Sequence, residues 1–338
     1  MPSFKQETLV VTRKYVLYSN GKYVLMFTCS FLLGHGPALN KAMEGYKVVH
    51  DKFLECLNPK ILLLNKTLFQ QYMPWHWKFV KEVEDSAELL RKTGKECIEK
   101  RKRAVKNGEE VPDDILTQIL KSAEQEGDYD DEVMLDNFIT FFIAGQETTA
   151  NQLSFTIMEL TRQPEIIKKL RVEVDDVIGS KRDIDYEDLG KLTYLSQVLK
   201  ESLRMYPPAP GTSRWIPEDT VIEGIHIPGG ISATFNTYIM GRMEKFFKEP
   251  LKFDPERFHP DAPKPYYCYF PFTLGHRSCL GQTFSQMAKV VMSKLLQRFE
   301  FLLVPGQTFK IMDTGTLRPR DGVVCTVKSR VTNCKGNT

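Results

Sequence analysis

The 338-residue sequence predicts a mainly α fold with a minor β region. Long stretches of helical apolar spacing, punctuated by proline and glycine, fill the middle of the chain. Short β-prone runs separated by turn signals follow Pro207-Pro208 and return in the tail. A content of 42% hydrophobic and 26% charged residues supports a sizeable core and excludes a disordered chain.

In chain order, residues 1–34 read as short β-prone or irregular segments. Their most apolar run, residues 23–34, is shorter than the roughly 20 residues a membrane span needs, and Asn20 and Lys22 precede it. It reads as a buried strand or short helix, with a weak signal-peptide-like alternative. Residues 37–57 turn helical, and Pro59 and Pro74 punctuate the next stretch. Residues 78–106 form one long charged helix ending at Asn107-Gly108, with Arg101-Lys102-Arg103 expected on a solvated face. Asp113 is placed to cap a helix through Leu120, and residues 125–131 read as an acidic loop.

A long apolar helix is expected over residues 131–162. Pro164 suits the first turn of the next helix, which Gly179 closes after Val177-Ile178. Residues 188–206 read as one further helix, ended by Pro207-Pro208. Residues 220–227 suggest a hairpin turning at Glu223-Gly224, and residues 231–235 another strand. Residues 242–271 are rich in proline and aromatics without periodicity. A last helix is expected over residues 282–299, then a β-prone tail over residues 302–328.

A net charge of +3 with pI near 8.3 does not indicate a nucleic-acid partner. The seven cysteines are scattered, with no spacing typical of a metal site or disulfide framework, which fits a reducing, cytosol-facing environment. There is no long repeat.

The densest chemical signal is the run from Phe272 through Gly275, Arg277 and Cys279 to Gly281. Cys279 alone would read as a small buried hydrophobe. Here it lies in a glycine-flanked loop with a helical pattern expected from Gln282, and a helix N-terminus and a nearby cation both stabilise a thiolate. Such a thiolate suits a large planar cofactor, because it pushes electron density onto haem iron and favours O–O cleavage. Arg277 is better placed to meet an anionic edge, such as a haem propionate, where a guanidinium fork is the preferred partner.

Residues 144–149 place small residues and an acid–alcohol pair inside the long helix. Glycine there costs about 0.5–1 kcal/mol relative to alanine, so Gly145 calls for a compensating role. Ala144-Gly145 leaves room for a small ligand, and the Thr148 hydroxyl can bond the Ala144 carbonyl and open the helix locally. Glu147 and Thr148 beside bound O2 would deliver protons; the plainer alternative is a small-residue helix contact with a solvent-facing glutamate. Glu201 and Arg204 lie at i, i+3 on one helix face, a spacing that by itself signals only a surface ion pair.

The Phe-x-x-Gly-x-Arg-x-Cys-x-Gly spacing resembles the haem-binding loop of the cytochrome P450 family. Residues 144–149 resemble that family's Ala/Gly-Gly-x-Asp/Glu-Thr motif, Glu201–Arg204 its Glu-x-x-Arg pair, and residues 253–258 its Pro-Glu-Arg-Phe-like segment. The motifs occur in family order. The resemblance implies a cytochrome P450 fold lacking its N-terminal part, with residues 1–34 a divergent N-terminal segment of unknown role and residues 35–338 a partial catalytic domain. It implies Cys279 as axial ligand of haem b, with Arg277, Arg214, Phe272, Gly281 and Ala144 as further cofactor contacts. Thr148 and Glu147 would be the catalytic pair. Ala144, Ala209 and Thr212 would border the substrate, and Glu201, Arg204 and Arg257 would form a buried structural network. For Arg214 the plainer alternative is a surface charge, and the propionate role is preferred.

The similarity is closest to the cholesterol 24-hydroxylase branch, through residues 108–120, 269–279 and 294–298. That branch implies hydroxylation of cholesterol with O2 and NADPH electrons from a reductase flavoprotein, on the cytosolic face of the endoplasmic reticulum membrane, with the anchor absent from this chain. Three departures stand out. The family's Trp-x-x-x-Arg helix is not matched, since Phe79 and Lys81 lie four residues after Trp75 and Trp77. Residues 1–34 resemble nothing in the family. Pro210 stands where the branch resembles a bulkier aromatic. The alternatives are a catalytically inactive truncated fragment that binds haem or sterol poorly or folds only in part, and an O2-independent haem-thiolate isomerase or dehydratase, against which Glu147-Thr148 argues.

Overall fold

In this computed structural model, residues 7–11, 16–17, 77–126, 130–263, 265, 267–313 and 315–330 are described. The helix expected over residues 37–57, the apolar run 23–34 and the Pro59–Pro74 stretch lie outside them. Strands β1 (Glu7–Val11) and β2 (Val16–Leu17) come first. Helices α1 (Trp77–Lys106), α2 (Ile115–Glu126), α3 (Asp131–Arg162), α4 (Pro164–Val177), α5 (Tyr186–Lys191) and α6 (Thr193–Met205) follow. Then come β3 (Gly211–Ile216), β4 (Thr220–Ile222), β5 (Ile225–Ile227), β6 (Ile231–Asn236) and the short α7 (Thr237–Met240). Helix α8 (Met287–Arg298) leads into β7 (Phe299–Leu303), β8 (Ile311–Asp313), β9 (Leu317–Pro319) and β10 (Val323–Ser329). The fold is mainly α with a minor β region.

The chain divides into two compact units, residues 23–147 and residues 1–22 with 148–338. In the first, α1 packs on the N-terminal half of α3 at Gly94, where a Cβ would come within 2.6 Å of the Leu135 side chain. Glycine inside a helix is justified by that approach. Ion pairs Arg91–Asp136 (2.7 Å) and Lys95–Glu132 (2.7 Å) tie the same two helices. Two expectations are corrected here. The cap of α2 is Asp114, whose carboxylate accepts the Thr117 N–H at 2.9 Å, and the helix continues to Glu126. Arg101 is not on a solvated face. Its side chain is 10% exposed and pairs with Asp114 at 2.6 Å, so the charge run is split by a tertiary partner.

In the second unit, β2-β1-β10-β7 form an antiparallel sheet, and β3–β6, β4–β5 and β8–β9 form three two-stranded ones. Glu223 (φ 50°) and Gly224 (φ 80°) turn the β4–β5 hairpin, as the Glu-Gly pair suggested. Helix α4 closes as expected, with Gly179 at φ +54° and its N–H on the Val174 carbonyl at 3.1 Å. Its buried Ile167, Leu170 and Val174 pack into a core shared with Leu195 and Val198 of α6 and Met292 and Leu296 of α8. Burying each such side chain stabilises by about 1.5–3 kcal/mol.

The helix expected over residues 188–206 is broken. Helix α5 ends at Lys191, Leu192 turns out of helical geometry (ψ 68°), and α6 begins at Thr193. The cause is a cap from another helix: the Glu173 carboxylate of α4 accepts the N–H groups of Tyr194 (2.6 Å) and Leu195 (2.8 Å). The last helix also starts later than expected. Residues 280–283 form turns, Phe284–Gln286 a 3-10 turn, and α8 opens only at Met287. Three-residue closures, Gln282 N–H to Cys279 O (3.3 Å) and Gln286 N–H to Thr283 O (3.1 Å), tighten this stretch.

Candidate functional site

The Cys279 loop is built by turns. Thr273 N–H donates to Phe270 O (3.0 Å), Ser278 N–H to Gly275 O (3.0 Å), and Cys279 N–H back to Phe272 O (2.8 Å). Gly275 takes φ +74°, a conformation glycine adopts without penalty. The result pins the backbone at Phe272 and Cys279 together and leaves Cys279 exposed with a free thiol. A Cβ at Gly281 would have only Cys279 Sγ for a neighbour, at 3.8 Å, so the glycine keeps that flank of the sulfur clear. Arg277 is exposed in the same loop. Cys279 borders a cavity of about 710 Å³ against Tyr186, Leu189 and Gly190 at α5 and Gln286 and Lys289 near the start of α8. Phe272 lines another, of about 460 Å³, with Leu199 and Leu203 of α6 and Gln152 of α3. Gln152 lies four residues after Thr148, hence on the same helix face.

The donor set decides which group the loop suits. Among the described residues, no cluster of three or more histidine, cysteine or acidic side chains could hold a metal ion. One accessible thiol by itself does not make a tetrahedral zinc site. It fits an ion whose remaining ligands arrive with it, as in a macrocycle.

The acid–alcohol pair lies where the two units meet in sequence: Ala144 and Glu147 belong to the first, Thr148 to the second. Glu147 is 5% exposed, which overturns the solvent-facing alternative, while Ala144 is exposed and Thr148 half-buried.

Glu201 and Arg204 are both fully buried on α6 and pair through two contacts, Oε2 with Nε at 2.7 Å and Oε1 with Nη2 at 2.8 Å. The surface-pair alternative is therefore excluded. Glu201 Oε1 also accepts the Asp254 N–H at 2.8 Å and faces Arg257 Nε at 3.5 Å. Burial pushes the Glu201 carboxyl above the usual carboxylate range, and Arg204 and the Asp254 N–H pull against it. Arg204 then reaches three carbonyls, those of Gly241, Pro250 (2.8 Å) and Lys252 (3.2 Å). Gly241 also lies close against the end of α6, since a Cβ there would fall 2.5 Å from the Arg204 main-chain carbonyl oxygen.

After α6, main-chain groups hold the path through Ala209 and Thr212. Leu317 N–H donates to Pro208 O (2.9 Å), the Thr237 hydroxyl to Ala209 O (3.3 Å), and Tyr238 N–H to Pro210 O (3.1 Å). The Tyr206 hydroxyl donates to buried Glu159 of α3 at 2.6 Å, and its ring stacks on Phe155 at 4.6 Å. Arg214 donates to the Thr212 hydroxyl at 2.8 Å, two residues along β3. Phe235 faces Thr212 across the β3–β6 ladder and is 46% exposed. The Phe235–Thr212 register and the Tyr206–Glu159 hydrogen bond leave no local spacing signal in the sequence.

A mainly α chain with small sheets, a pinned single-thiol loop and a buried Glu-x-x-Arg pair is of the kind that carries a thiolate-ligated cofactor. The sequence profile described as Cytochrome P450 matches residues 19–328, and the chain belongs to that family. It is 37% identical over 220 residues to cytochrome P450 4d2 of Drosophila melanogaster, covering 64% of this chain and 44% of the relative. The 11-oxo-beta-amyrin 30-oxidase of Glycyrrhiza uralensis is 34% identical over 67% of this chain and 46% of its own length. Human cytochrome P450 3A5 is 36% identical over 57% and 39%. The chain thus spans about half the length of the curated relatives it matches, and none of these three is named as a cholesterol 24-hydroxylase.

Proposed function

We propose that this chain is the haem-binding part of a monooxygenase that hydroxylates a sterol, with the cholesterol side chain at C24 as the specific target. O2 is the co-substrate, and electrons come from NADPH through a reductase flavoprotein. The observation that carries the reading is the exposed Cys279 thiol, free of any disulfide, on a loop locked by the Cys279 N–H to Phe272 O bond. Residues 108–120 and 269–279 support the sterol branch. A relative named as an oxidase of 11-oxo-beta-amyrin, a triterpenoid, supports a polycyclic substrate.

In this reading Cys279 would ligate the iron of haem b through its sulfur, and Arg277 and Arg214 would hold the propionates. Phe272, Gly281 and Ala144 shape its surroundings. Bound haem supplies the O2 chemistry and the one-electron steps. Buried Glu147 and the adjacent Thr148 hydroxyl would supply protons for the O2 chemistry of the bound group. Ala144, Ala209 and Thr212 border the substrate, and their small side chains leave space for a rigid ring system. Glu201, Arg204 and Arg257 hold the scaffold behind the cysteine loop. Residues 1–34 are taken as a divergent segment and residues 35–338 as the catalytic part. The site of action is the cytosolic face of the endoplasmic reticulum membrane. No helix among the described residues is long and apolar enough to cross a membrane.

The test is the reduced, CO-treated absorbance spectrum of the chain expressed with haem supply. A thiolate-type band that Cys279→Ser removes is the expected result, and a band that survives the substitution refutes the ligand assignment. Absence of haem from the parent chain favours the inactive alternative. Turnover of cholesterol with NADPH and reductase, read by mass spectrometry, tests the finer claim, and hydroxylation at another carbon refutes C24.

A further inference from the structure

The Cys279 loop contains a residue in a conformation its type resists. Thr273 has φ +59°, in the left-handed region where a β-branched residue is an outlier. Such strain persists only where the surroundings hold it. Two contacts do so: the Thr273 N–H on Phe270 O at 3.0 Å, and the Thr273 hydroxyl on Arg277 O at 2.7 Å. The second spans the turn that contains Gly275 and ends two residues before Cys279. Glycine would fit this backbone with less strain. Threonine adds the one thing glycine cannot, a hydroxyl staple across the turn.

We propose that Thr273 is a positioning residue for Cys279. Its hydroxyl, bonded to the Arg277 carbonyl, holds the turn shut, and the strained φ aims the chain so that Cys279 N–H meets Phe272 O and the sulfur faces outward. The role rests on the reading of Cys279 as the axial ligand, but the staple itself can be tested without haem.

Amide hydrogen exchange on the 338-residue chain, resolved to peptides covering residues 270–281, reads the closure directly. Thr273→Val keeps the β-branched shape and the strain but removes the hydroxyl. Loss of one hydrogen bond worth about 1.4 kcal/mol is about tenfold in the opening equilibrium, so about tenfold faster exchange is expected in these peptides. Thr273→Ser keeps the hydroxyl and should exchange within about twofold of the parent, since only a methyl group is lost. Thr273→Gly removes staple and strain together and should fall between them, which keeps the test open if the valine variant does not fold. Equal exchange in the parent, valine and glycine proteins overturns the proposal, as does a serine variant as fast as valine. In the haem-loaded protein, the valine variant should shift the reduced CO band from thiolate type toward neutral-thiol type, and serine should restore it. An unshifted band in the valine variant overturns the positioning role. A parent without any thiolate band overturns the ligand reading beneath it, and the exchange result still decides the staple.

Discussion

Removing the Glu201 carboxylate is the sharpest perturbation the structure offers. In Glu201→Ala, Arg204 stays fully buried but loses partners at 2.7 and 2.8 Å, the Asp254 N–H loses its acceptor at 2.8 Å, and Arg257 loses its facing charge at 3.5 Å. Breaking a buried pair by deleting one partner costs about 3–5 kcal/mol, because the remaining charge is uncompensated. Against a typical stability of about 5–15 kcal/mol, that is a third or more of the total for many domains. Glu201→Gln tests the cause. It keeps the shape and one carbonyl acceptor but not the charge, and should cost about 1–3 kcal/mol, the range for a single unsatisfied buried group. The assay is urea unfolding followed by far-UV circular dichroism, with haem content measured in parallel. Both variants should unfold earlier in that order, and the alanine protein should fail to retain haem. An alanine variant within about 1 kcal/mol of the parent, the worth of an exposed pair, would refute the claim that this pair is a buried keystone.

Glu173→Ala removes the cap that starts α6, and should cost about 0.5–2 kcal/mol and speed amide exchange at Tyr194 and Leu195; unchanged exchange there refutes the cap. A hydrogen bond from Lys181 at 2.8 Å holds the Asp188 carboxyl below the usual carboxylate range. Its stabilising effect is therefore present above the unfolded value near about 3.9 and is lost as pH falls through the lower folded value. Stability curves of the parent and Asp188→Asn should converge below about pH 4, and parallel curves across that range would refute the linkage. Thr148→Ala should leave haem binding intact while O2 consumption exceeds hydroxylated product severalfold, measured with an oxygen electrode and mass spectrometry. Fully coupled turnover would remove Thr148 from the proton path.

Where a helix is fixed by its own residues, the chain announces it. Asp131 and Pro164 bracket α3, and Pro164 and Gly179 bracket α4, with bounds matching those expected from spacing alone. Where a distant group intervenes, local pattern misleads. The break at Leu192 exists because Glu173 caps α6 from another helix, and Arg101 is withdrawn from solvent by Asp114. The delayed start of α8 has a local cause instead: Ser285 turns its hydroxyl onto the Gln282 carbonyl at 2.5 Å and favours the tight turn over the α-helix. At the candidate site, the spacing of Glu201 and Arg204 is readable and the family resemblance implies their burial, but the carbonyls of Gly241, Pro250 and Lys252 are not readable, because loop packing carries no period.

The path from Pro208 to Pro210 is suspended by its own carbonyl oxygens, each taken by a donor from another part of the chain. A carbonyl is the same whatever side chain it accompanies. Ala209 can therefore be exchanged for a larger or differently shaped residue without touching the bonds that hold its backbone in place. Under the proposed role of Ala209 beside the substrate, selectivity at this segment and the integrity of its backbone are separate properties, so one can drift under selection or be engineered while the other stands still.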